Sequence, residues 1–89
     1  MLVKLIEVFK PQGDRVHLEE IHISPNVVTT IRREQSSEII TEAHALGISS
    51  EAQFSRITIS EGSTSRSAVV VGSPEELRRK LNKRQLLRD

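Results

Sequence analysis

The sequence predicts an α+β domain: an antiparallel sheet of about five strands, with a C-terminal helix packed on one face and a short inserted helix over residues 36–46. Three observations carry this. Short β-branched runs at residues 2–9, 15–24, 27–31, 56–60 and 66–71 are separated by turn residues, the signature of strands. Helical apolar spacing occurs at Ile39, Ile40, Ala43 and Leu46 and again at Leu77 and Leu81. Ser73, Pro74, Glu75 and Glu76 supply an N-cap, a proline at the first helical position and two carboxylates facing the helix dipole.

Taken in order, residues 2–9 fit both a strand and a helix period. Shortness, β-branching and the turn chemistry of Pro11 to Asp14 decide for a strand. Its apolar residues fall on both faces, Leu2, Ile6 and Val8 on one and Val3, Leu5 and Phe9 on the other, so both faces need cover. In residues 15–24, Val16 and Leu18 are out of phase with Ile21 and Ile23. An extra residue at Glu19-Glu20, a bulge, restores the alternation. Pro25 and Asn26 turn the chain into a third strand over residues 27–31.

The inserted helix is capped by Ser36 or Ser37 and stopped by Gly47. It either covers part of the second sheet face or forms a protruding arm. Residues 49–55 connect onward, with Ser50 and Gln53 at the spacing of another helical turn. Strands four and five are joined by a polar loop over residues 61–65, and the last helix buries Leu77 and Leu81. From about Lys83 the basic tail, residues 83–89, is expected to fray.

A chain of 89 residues without low-complexity segments is a single domain, and at that size it buries only about 60–65% of its unfolded surface. Apolar residues make up 36%, and Phe9 and Phe54 are the only aromatics, so help from a second subunit or a partner is expected. There is no cysteine, which removes disulfides and thiolate metal sites. Lys4 and Glu7 interrupt the N-terminal apolar run, unlike a signal peptide, and no stretch approaches a membrane span. The expected location is the cytoplasm.

The run from Ile21 to Ile31, followed by Ile57 to Gly62, Val69 to Val71 and Ser73 to Leu77, resembles a pattern of very small bacterial and phage proteins, the nearest being the small flagellar-operon family of the FlbD type. The resemblance implies a small sheet with a C-terminal helix, an accessory or interaction role and no catalytic residues. The chain departs from that pattern in placing residues 35–54 where the family has a tight connection.

No constellation for catalysis emerges. His17 and His22 are five apart and share a face only through the proposed bulge, without a well-spaced third ligand. His44, two residues after Glu42, points away from it on a helix. The serines lie outside any nucleophile motif, and many fall at caps and turns. No metal or cofactor is implied. The expectation is therefore a non-enzymatic interaction protein, a homodimer or a partner-binding subunit, using Val3, Leu5, Phe9, Ile40 and Leu46. On that view Leu5→Asp abolishes association, and unchanged mass and folding in the variant would reject it.

The second expectation is a nucleic-acid-binding regulator that uses Arg78, Arg79, Lys80, Lys83 and Arg84, with Arg32 and Arg33 extending the patch. A net charge of only +1 makes any such contact local. The absence of Tyr and Trp removes stacking platforms for single strands.

Overall fold

The computed structural model describes residues 1–12 and 14–88, with side chains as far as Asn82. Five β-branched segments form strands β1 (Val3–Phe9), β2 (His17–Ile23), β3 (Val28–Arg33), β4 (Phe54–Glu61) and β5 (Thr64–Val71), with a 3-10 turn at Pro25–Val27. Two helices, α1 (Ser37–Ala45) and α2 (Pro74–Arg88), complete the α+β fold. The strands make one antiparallel sheet in the order β2-β1-β5-β4-β3. The fraying expected beyond Lys83 concerns side chains outside the described residues, as does Gly13 in the first turn.

β2 and β3 lie at opposite edges of this sheet, yet only residues 24–27 connect them. In a flat sheet the two edges would stand about 19 Å apart. The link, shortened by its 3-10 turn, spans roughly 14 Å. The sheet must therefore curl toward the side the link crosses. Its concave face encloses a core of Leu5, Ile23, Ile57, Ile59, Ala68, Val70 and Leu77, against which Ile21, Val27, Val28 and Ile31 also pack. Residues from both edges thus share one core, and α2 seals it with Leu77, 1% exposed.

A second core lies on the convex face, where Val8, Val16, Phe54 and Val69 meet Ala43 of α1, flanked by Leu18, Ile39, Ile40 and Ile48. α1 is therefore a cover and not an arm. Lys10 fastens it by donating to Glu38 and Glu42, and the Val16 N–H donates to Glu42. The hydrogen bonds to Glu38 and then Glu42 hold the Lys10 ammonium above its ordinary range, and that from Lys10 holds Glu42 below its own. His44 meets Phe54 edge to face at 5.4 Å.

These two cores explain the phase slip in β2 without a bulge. β1 and β2 pair in unbroken register from Val3↔Ile23 to Phe9↔His17, which corrects the irregularity expected at Glu19-Glu20. Val16 and Leu18 serve the convex core, while Ile21 and Ile23 serve the concave one. The bulge lies in β3, where Val28 faces Ile59 and Thr30 faces Thr58, leaving Thr29 as the extra residue. Because of it, Val28 and Ile31 share the concave face although they are three apart.

Turn and cap chemistry fixes the remaining geometry. The β4–β5 hairpin closes through the two residues between Glu61 and Thr64, tighter than the expected five-residue loop. Gly62 has φ +59° and, among the described residues, no non-glycine residue has positive φ, the pattern of a type II′ turn. Ser36 caps α1. At α2, Ser73 and Glu76 form a reciprocal capping box, each backbone N–H donating to the other's side chain. Gly72, with φ +128°, brings the chain over Leu77, whose Cδ2 lies 3.3 Å from where a Cβ would stand. Its carbonyl accepts from the buried Ser55 hydroxyl at 2.7 Å. Residues 49–52 form a turn around Ser49, with Ala52 N–H donating to Ser49 O, and not a helical turn from Ser50.

Leu5 is 2% exposed and sits inside the concave core. Leu5→Ala is expected to cost about 2–5 kcal/mol in chemical denaturation, and Leu5→Asp to unfold the chain; a folded Leu5→Asp protein by circular dichroism contradicts the placement. Gly72→Ala is expected to lower stability more than Gly62→Ala, since it adds a crowded Cβ to a strained φ. Glu76 lies below the ordinary carboxylate range, chiefly through the Ser73 backbone N–H. Its ionised form therefore stabilises the fold at neutral pH, and this contribution is lost as pH falls from the ordinary carboxylate value through the depressed one. Glu76→Gln is expected to flatten that part of the acid unfolding curve.

Candidate interaction surface

The residues expected to form an interface separate in the structure. Val3 and Leu5 belong to the concave core, and Ile40 packs on the convex one. Of the five, Phe9 and Leu46 remain substantially exposed, at 43% and 51%. Phe9 alternates onto the concave side of the sheet, whereas Leu46 ends the helix that covers the convex side. They do not form one apolar patch. Placing Val3 and Leu5 on an open face is corrected accordingly: the crossing β2–β3 link and α2 enclose them.

The basic residues also divide. Arg78, Arg79 and Lys80 are exposed on α2, and no ion pair among the described residues involves them. Lys83 and Arg84 have side chains outside the described residues. Register places Arg32 opposite Arg56 and Arg33 opposite Ser55, so Arg32 points to the convex face, away from α2. Arg33 donates to Gln53 at 2.8 Å. A continuous stripe from α2 through both arginines is therefore not formed.

His17 and His22 alternate to opposite faces of the regular β2. The His17 ring lies 3.4 Å from Asp14, and the His22 ring 2.9 Å from Glu20. The hydrogen bond from His22, followed by the charge of Lys4, lowers the Glu20 carboxyl. His44 faces the Ile48 carbonyl at 3.3 Å. The histidines are thus held apart, each with a local partner.

Next to α1, the convex face over β3–β5 is polar. Thr30 donates to Thr58 at 2.7 Å, and Arg56 bridges Glu34 and Ser67. On the concave side, the half-exposed Arg66 stands 3.5 Å from the carboxylate of Glu7, which is 8% exposed and lies across from Glu19. These groups satisfy one another and stabilise the sheet.

One surface that remains open is the outer edge of β3. It is the last strand of the sheet, and its outward backbone groups have no strand to pair with. Beside it α2 passes closely enough to leave a groove of about 250 Å³. The strand side is made by Pro25 and residues 28–31, and the helix side by Arg78, Leu81 and Asn82. Several local causes build it. The Thr29 bulge turns Val28 and Ile31 toward α2, and the 3-10 turn brings Pro25 to one end. The Ser73 cap sets the direction of the helix. Arg78 and Asn82, four apart, stand one above the other on the same helix face.

Chemically, the groove offers unpaired backbone donors and acceptors, a short apolar floor, a guanidinium and an amide. The equivalent edge of β2 carries exposed His17, Glu19, Glu20 and His22, charges that discourage strand addition. Sequence reasoning missed the groove because it placed the extra residue in the wrong strand. The signal was the three-residue spacing of Val28 and Ile31.

Deleting Thr29 is expected to return β3 to simple alternation and turn Val28 off the concave face. The cost should be about 1–2 kcal/mol, read from denaturant midpoints, with loss of the Val28–Ile59 pairing in NMR spectra; unchanged stability rejects this account of the bulge. No family model matches this chain, and no curated protein or solved structure matches it.

Proposed function

We propose that the protein is a non-enzymatic interaction module that engages its partner along the edge of β3 and the adjoining face of α2. The observation that carries this reading is the groove between an unpaired strand edge and a helix bearing exposed Arg78 and Asn82. Of the β1 residues that suggested self-association, Val3 and Leu5 already pack within one copy. Recognition consequently moves from the sheet faces to the sheet edge. No helix among the described residues is long and apolar enough to cross a membrane.

A second reading, contact with nucleic acid, is favoured by the exposure of Arg78, Arg79 and Lys80 on consecutive positions. Consecutive residues spread around a helix, so they contact phosphates individually and do not form one stripe. Binding of this kind weakens steeply with salt.

Selection from a display library of random peptides, followed by NMR mapping of the enriched sequences, tests the first reading. Signals of β3 and of Arg78 to Asn82 are expected to shift; the reading fails if nothing is enriched or if shifts lie elsewhere. Fluorescence anisotropy with labelled duplex and single strands tests the second. Its expected outcome is affinity that falls at least about tenfold between 50 and 200 mM salt and is lost when Arg78, Arg79 and Lys80 become Gln. Absence of binding at low salt rejects it.

A further inference from the structure

We infer that the groove accepts an extended peptide carrying a carboxylate side chain, which adds a sixth strand beside β3 and presents that carboxylate to Arg78. This rests on the interaction reading above and specifies its partner.

Backbone pairing is the first support. β3 meets β4 through one edge only, so every second residue directs its backbone N–H and C=O outward. An extended peptide satisfies these groups in the manner of strand addition. The groove, about 250 Å³, is smaller than usual small-molecule sites, which run about 300–1,000 Å³. It is also bounded on one side by a strand edge.

The chemistry of the walls specifies the side chains. Val28, Ile31 and Leu81 form an apolar floor suited to an aliphatic residue. Arg78 stands at the rim, outside the ion pairs of the described residues, and its planar fork matches a carboxylate. Arg79 lies beside it in a shallow depression that also includes Glu75 and Asn82. Glu75 sets one carboxylate beside these two cations, so the helix wall of the groove stays net positive. Asn82, one turn beyond Arg78, supplies both a donor and an acceptor.

The same charges disfavour a second copy as the occupant. A two-fold pairing of β3 with β3 would set Arg78 against a strand, residues 28–33, that carries two arginines and no carboxylate. An acidic strand meets complementary charge instead.

The test uses the whole chain and a set of capped peptides in which Val, Ile, Leu and Thr flank a central Glu, Gln or Lys. Binding is read from NMR shifts on titration. Glu peptides are expected to shift β3 signals and bind at least about tenfold more tightly than their Gln counterparts. Arg78→Glu, an exposed substitution whose fold is checked by circular dichroism, should reverse the preference toward Lys. Backbone N-methylation of alternate peptide residues should abolish binding in one phase and spare it in the other. Equal affinity for Glu, Gln and Lys peptides at β3 overturns the carboxylate assignment and leaves the interaction reading standing. Insensitivity to the phase of N-methylation overturns strand addition. If no peptide of the set and none from the random library perturbs β3, the interaction reading falls with it. Concentration-dependent β3 shifts without peptide identify a second copy and overturn the acidic occupant.

Discussion

A link of four residues, 24–27, joins strands at opposite edges of a five-stranded sheet. That constraint organises the molecule. It rules out a flat sheet, brings Ile23 and Val28 into one core and defines which face is concave. With the concave side enclosed by the link and α2, a chain of limited apolar content supports two small cores on opposite faces. One surface this arrangement leaves open is a strand edge.

Local chemistry was legible wherever a residue type has a single backbone use. Ser73-Pro74-Glu75-Glu76 read as a helix start because cap, proline and dipole act within one turn, and the structure adds the reciprocal Ser73–Glu76 bonds. Ser36 and Gly47 marked the limits of α1 for the same reason. The strand count and the α+β class followed from β-branched runs between turns. The two-residue hairpin turn at Gly62-Ser63 was not recognised, although a Gly at the first of two central positions is its usual signal.

Phase was less legible, because one sequence pattern has two physical solutions. A break in alternation is absorbed either by an extra residue, as at Thr29, or by a strand whose halves serve cores on opposite faces, as in β2. Choosing between them requires knowing where the helices lie, which is tertiary information. The same ambiguity affected the candidate site. Val3 and Leu5 looked unaccompanied because the β2–β3 crossing, which encloses them, leaves no local mark. Arg78 was visible as a cation, but its neighbours across the groove are more than forty positions away in the chain.

The strand order also has a kinetic meaning. β1–β2 and β4–β5 are local hairpins, but β1 and β5 meet at Glu7↔Val70 and Val8↔Val69, joining the first tenth of the chain to its last third. Closing so long a loop costs entropy before many contacts compensate. Of the pairings in this sheet, the central seam carries the largest loop-closure cost, more than the turns that initiate each hairpin. Until the seam zips, each hairpin exposes half of a core to water; its closure is the step at which two marginal fragments become one cooperative unit.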